Sequence, residues 1–131
     1  MAYFVEYGKK FALEFSRYPD YQQDKILDFV DTYERFGLGN FNNYPGKISK
    51  SWSGLMSHDP LHAYAVANSL WHYHIGLPDY KSVHQKYQTS DWVLHFKWPN
   101  MKNTIVLVDV CYHYRSDGSF YLPDDSYMDQ D

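Results

Sequence analysis

The sequence predicts an α+β domain: a small antiparallel β-sheet with two N-terminal helices packed on one face. Three observations predict it. A short β-prone run, Tyr3-Phe4-Val5-Glu6-Tyr7, opens the chain and stops at Gly8. Two helical patterns follow it before Gly37. The alternating and continuous apolar runs that read as strands come later, from Leu70 onward. Helices segregated from strands in this way belong on one side of a sheet rather than between parallel strands. The reading places one domain over residues 1–123 and an acidic tail, expected to fray, over 124–131.

The elements follow in order. Residues 9–17 read as a short helix, with Phe11 and Phe15 four apart on one side. Tyr18-Pro19-Asp20 interrupts it, and Asp20 with Gln23 three positions on has the form of a capping box. Over 21–36, Ile26, Phe29, Val30, Tyr33 and Phe36 recur at helical spacing and are expected to face the sheet. Gly37 stops that helix. Residues 37–57 hold five Gly/Pro, three Asn and four Ser, and read as a long loop carrying Lys47 and Lys50. Asp59-Pro60 is an N-cap and first-turn pair for a short helix over 60–68. Leu70 to Ile75 and Trp92 to Trp98 alternate as strands. Thr104 to Tyr114 is the strongest strand, near-continuously apolar from Ile105 to Val110, as expected where both faces are covered. Phe120-Tyr121-Leu122 is a candidate last strand.

Composition narrows the function classes. The chain has 131 residues, 44% of them hydrophobic and 21% charged, enough for one core and unlike a disordered tail. Aromatics reach 20%, more than one small core can hold, so some rings are expected at the surface. No apolar run is long enough for a membrane helix, the first residues lack a signal-peptide pattern, and the single Cys111 excludes an internal disulfide. A soluble cytoplasmic domain is the expectation. The net charge of −4 is unevenly spread. Residues 1–39 carry five Lys/Arg against seven Asp/Glu, residues 40–115 seven against four, and residues 116–131 none against five. The middle is therefore basic and also holds all seven His, which weakens the objection that an acidic chain raises to RNA binding.

The polar parity of the strands carries the candidate chemistry. His72 and His74 share a face of one strand, His95 and Lys97 a face of the next, and Asp109 and His113 a face of the third. If the registers coincide, one face gathers four His, a Lys and an Asp. Titratable groups on central strands cost free energy unless they are hydrogen-bonded or useful. Imidazoles titrate near neutral pH and suit acid–base catalysis. A plain half-exposed polar face and a His72-x-His74 metal site are the competing readings, the second opposed by the nearby Lys97. Cys111 sits in an apolar strand, and no nucleophile elbow or glycine-rich phosphate loop is present.

A strand, two antiparallel helices, a lysine-bearing loop and a terminal sheet resemble the RelE-type bacterial toxins. Leu70-Trp71-His72-Tyr73-His74-Ile75-Gly76 and Thr89-Ser90-Asp91-Trp92-Val93-Leu94-His95-Phe96 look most like the YafO-type branch. The resemblance implies the toxin of a type II toxin–antitoxin pair: an endoribonuclease that cuts mRNA, commonly on the ribosome, without a metal or other cofactor, and is held by a cognate antitoxin protein. With the polar face above, His95 and His72 or His74 are expected to act as base and acid, Lys97 to hold the phosphate and His113 to border the catalytic group, His95 and Lys97 being the first choices. Lys47, Lys50 and Arg115 would then contact phosphate, and Tyr73, Tyr112, Tyr114 and Tyr121 would border or stack on the RNA. The chain departs from that family in having only three Arg, two of them on the early helices, and in its net acidity. A non-catalytic interaction module on the same fold is the alternative.

Overall fold

The computed structural model describes residues 2–53, 55–76, 92–112, 122–123 and 125–128, with the side chains of Tyr112 and Asp125 outside that description. The order is β1 (Phe4–Tyr7), α1 (Lys9–Phe15), α2 (Asp20–Phe36), β2 (Ile48–Lys50), α3 (Pro60–Ala67), β3 (Leu70–His74), β4 (Trp92–Lys97) and β5 (Thr104–Tyr112). Short 3-10 turns lie at Phe41–Asn43, Pro99–Met101 and Asp125–Tyr127. The strands form one sheet in the order β1-β5-β4-β3-β2. The fold is α+β, as the segregated patterns require. The sheet is mixed rather than wholly antiparallel: β2 to β5 pair antiparallel, and β1 lies parallel to β5 at the edge.

The α2 stripe packs as its spacing dictates. Ile26, Phe29, Val30 and Tyr33 are buried against the sheet side formed by Trp71, Tyr73, Leu94, Phe96, Ile105 and Leu107. Phe29 lies at the centre, with ring centroids 4.8 Å from Tyr73 and 5.6 Å from Phe96. Phe36 is 51% exposed, against expectation. Tyr33, one turn earlier, already meets Tyr3 beside the edge strand β1, so the next turn of the helix runs past the sheet. The capping box does not form. Pro19 takes the N-cap position, and the Gln23 side chain donates to the Phe15 and Tyr18 carbonyls at the end of α1, at 2.9 and 3.0 Å. The amide ties the two helices instead of closing one. Gly37 ends α2 at φ 67°, and a Cβ there would overlap the Tyr3 ring.

The predicted loop 37–57 contains a strand. Ile48, Ser49 and Lys50 pair with Tyr73, His72 and Trp71, too short a run to read through the surrounding Gly and Ser. Gly46 permits the approach, since a Cβ there would collide with the His74 carbonyl. Asp59 caps α3 as expected, accepting from the Leu61 N–H at 2.9 Å. A β-bulge separates the His95–Asp109 pair from the Phe96–Leu107 pair, leaving Val108 as the extra residue of β5. The bulge switches parity along β5. Ile105, Leu107 and Val110 therefore all face the helices, while Val106, Val108 and Asp109 face away.

The far side of the sheet is covered as well. Ala65, Leu70, Val108 and Leu122 form a second buried cluster with Leu61, Tyr64, Tyr127 and Met128 against it. The segment expected to fray is docked where it is described. Tyr127 donates to Glu14 at 3.1 Å and Lys10 to Ser126 at 3.0 Å, and just before that segment Tyr64 donates to the Pro123 carbonyl at 2.6 Å. Residues 120 and 121 of the candidate last strand lie outside the described residues.

Candidate functional site

The register brings the polar parities together. Ser49, His72, His95 and Asp109 are directly opposite one another across β2, β3, β4 and β5, on the face away from α1 and α2. His74 stands one pleat along, with its ring centroid 5.8 Å from that of His72, and the His72 and His95 rings are 6.3 Å apart. Lys97 lies one pleat the other way, opposite Leu70 and Val106. The histidines and the aspartate are buried, His72 8% exposed, His74 6%, Asp109 4% and His95 1%, while Ser49 is half-buried. These strands are central, and α3 with Leu122, Tyr127 and Met128 lies over the face they form.

A serine not evident in the sequence completes the row. Ser51, 5% exposed, has its Oγ 3.1 Å from His72 Nδ1. That contact fixes the plane of the His72 ring. Ser51 follows β2 inside the Gly- and Ser-rich segment, so only the β2–β3 pairing reveals it. Asp109 accepts from the Val110 N–H at 2.9 Å. Its charge reaches Tyr18 and Tyr127, whose phenols are held above their ordinary range first by burial and then by Asp109.

Lys97 is half-buried, and its ammonium donates to the Met128 carbonyl at 3.0 Å. Burial pulls its pKa down, and Glu6 acts against that shift. Glu6 and Lys97 belong to one cross-strand row, each opposite Val106 from its own side. Between them is a pocket of about 340 Å³, also lined by Ala67, Asn68, Ser69, Pro99 and Thr104.

Other candidates fall elsewhere. Tyr73 is 3% exposed on the helix side, stacked on Phe29 and edged by Tyr44, so its ring has no face for a base. The period-2 alternation that put His72 and His74 on one face put Tyr73 on the other. Lys50 is opposite Trp71, also on the helix side, with its ammonium 6.0 Å from the Trp52 and Trp71 rings. It therefore does not join the histidine row. Lys47 is half-buried, and its carbonyl accepts from the His74 N–H at 2.9 Å. The Tyr112 side chain and all of His113, Tyr114, Arg115 and Tyr121 lie outside the described residues. Among the described residues no three His, Cys, Asp or Glu side chains are grouped to hold a metal ion, and no helix is long and apolar enough to cross a membrane. No family model matches the chain, and no curated protein or solved structure is significantly similar to it.

Proposed function

We propose that this chain is a metal-independent endoribonuclease acting on mRNA as the toxin of a bacterial toxin–antitoxin pair. The observation that carries the reading is the single buried row His72–His95–Asp109, with His74 and Lys97 one pleat to either side on the same face. The resemblance of residues 70–114 to RelE-type toxins supports it from the sequence. Phosphodiester cleavage of RNA needs a base for the 2′-hydroxyl proton, a cation at the non-bridging oxygens and an acid for the departing 5′-oxygen. Ring centroids 5.8–6.3 Å apart suit two imidazoles on opposite sides of one phosphate. His72, oriented by Ser51, and His74 are the more exposed pair and take the acid and base roles. His95, between His72 and Asp109, holds the row in place. Lys97 supplies the cation. The 2′-oxygen displaces the 5′-oxygen at phosphorus, which leaves a 2′,3′-cyclic phosphate and a 5′-hydroxyl.

Burial makes the described form a closed one. RNA reaches the row when residues 125–128 lift, which frees Lys97 from the Met128 carbonyl. A cognate antitoxin, the ribosome and a cytoplasmic setting follow from the toxin reading. The test is cleavage of a defined mRNA by the full chain in excess chelator, with and without ribosomes, followed by end-group analysis. Cyclic phosphate ends, absent with His72→Ala, are the expected result. Intact RNA in both settings would sink the proposal, as would growth on induction equal to that of the His72→Ala variant.

A further inference from the structure

The pocket beside Lys97 is outside the histidine row but opens onto the same face. Its walls differ in chemistry. Lys97 and Glu6 put opposite charges on it from the two strands flanking Val106, and Asn68, Ser69 and Thr104 add neutral polar groups. Ala67, Pro99 and Val106 supply the apolar part. At about 340 Å³ it is at the small end of ordinary ligand pockets, roughly 300–1,000 Å³, which suits one nucleotide rather than a folded chain. Ser69 lines it in the left-handed conformation at φ 51°, a strained geometry for a residue with a side chain. Such strain gathers at ligand sites because the surroundings must enforce it. The Ser69 carbonyl accepts from the Trp98 N–H at 2.9 Å, which helps to hold it there.

We infer that this pocket binds a guanine nucleotide, with Lys97 at the phosphate and Glu6 at the Watson–Crick edge of the base. The phosphate assignment rests on the endoribonuclease reading; the base assignment rests on the pocket. Single-stranded RNA is read by taking an unstacked base out of the chain and hydrogen-bonding its edge. A carboxylate offers acceptors only. Guanine alone presents two adjacent donors, N1–H and the N2 amine, to the two carboxylate oxygens. Adenine and cytosine offer one amine next to an acceptor, and uracil one N–H between two acceptors. The ammonium of Lys97 has three N–H donors and spends one on Met128, so two remain for phosphate oxygens.

Equilibrium binding of the four nucleoside 3′-monophosphates to the full-length protein tests the inference without requiring cleavage. Guanosine 3′-monophosphate should bind at least about tenfold more tightly than the other three, as expected for one good bidentate contact. Glu6→Gln should abolish that preference, because the amide sets a donor against a donor. Lys97→Met should weaken all four alike, and Lys102→Met, on an exposed residue outside the pocket, should change nothing. Equal binding of all four, no binding, or a preference that survives Glu6→Gln would overturn the inference. A guanine preference in a protein that never cuts RNA would retain the pocket assignment and remove the endoribonuclease reading. Cleavage without a base preference would do the reverse.

Discussion

The two faces of the sheet are both buried, but by different means. The face under α1 and α2 is a dry aromatic cluster: Phe29, Tyr73, Phe96 and Tyr44 pack ring on ring, with centroids 4.8–5.9 Å apart. The opposite face carries Ser51, His72, His74, His95 and Asp109 beneath α3 and the C-terminal segment. Burying imidazoles and a carboxylate costs free energy that an aliphatic surface would not. The first face has the composition of a stabilising core. The second retains groups that weaken it, and that is the expected mark of a site rather than a scaffold.

The sharpest break in this comparison is a charge on the dry side. Phe29→Asp places an unpaired carboxylate among three aromatic neighbours and should cost about 3–5 kcal/mol in urea unfolding. An unchanged midpoint would show that α2 does not pack as described. On the polar side, His72→Ala should lower RNA cleavage by about 10²–10⁴-fold, the usual range for a general acid or base, while the protein stays folded. His95 is a poorer choice for that test. At 1% exposure its truncation to Ala leaves a cavity, so His95→Gln is the variant that separates activity from packing. Loss of cleavage only in step with loss of fold, for both His72→Ala and His95→Gln, would make the row structural.

High pH should strain both faces together. Burial raises the phenols of Tyr44 on the dry side and of Tyr18 and Tyr127 near Asp109, and pushes Tyr33 up to about 12. A folded-state pKa above the ordinary value near 10 means that the unfolded chain loses these protons first as pH rises. The stabilisation they contribute is fully present below about pH 10 and is lost as pH climbs through the raised values. Urea midpoints compared at pH 8 and pH 11, with phenolate absorbance followed in parallel, check this. Phenols that all ionise near 10 in the folded protein would contradict it.

The alternation of the strands made much of this legible. Trp92, Leu94 and Phe96 against Val93, His95 and Lys97 assigns faces without any structure, and it separated the site from the core. Register was not legible. The Val108 bulge decides that Asp109 meets His95, and nothing in Ile-Val-Leu-Val-Asp-Val marks the extra residue. Ser51 was hidden because β2 is three residues long and exists only through its pairing with β3. Glu6 lay in the first strand, far in sequence from Lys97, and the parallel β1–β5 pairing joins them. Phe36 and Gln23 failed for the opposite reason: their helical spacing was sound, but the sheet edge and the end of α1 claimed them.

The C-terminal segment joins the two regions and can be loosened by one atom. Tyr127→Phe removes the hydroxyl that bonds Glu14 at 3.1 Å and keeps the ring that Lys10 covers at 4.2 Å. One hydrogen bond to a charged group is worth about 1.5–3 kcal/mol at most, and less at a half-exposed position. If this segment closes the row, cleavage by Tyr127→Phe should rise severalfold with little change in global stability. Unchanged or reduced cleavage would mean that the segment is not the barrier to RNA.

The smallest effect belongs to Tyr33 and runs against the usual direction of core mutations. Its hydroxyl is fully buried on the dry side and has no hydrogen-bond partner among the described residues. A buried hydroxyl without a partner keeps its desolvation cost, and replacing it by hydrogen removes that cost while the ring retains its contact with Tyr3. Tyr33→Phe should therefore stabilise the protein by up to about 1 kcal/mol and leave RNA cleavage untouched, since the ring lies across the sheet from the histidine row. The same change made on the polar side, Ser51→Ala, removes a hydroxyl 3.1 Å from His72 and should lower cleavage instead. Paired urea titrations and cleavage rates for the two variants measure the difference between the faces directly. A destabilised Tyr33→Phe would mean that the hydroxyl is satisfied, and an unaffected Ser51→Ala would mean that His72 needs no positioning.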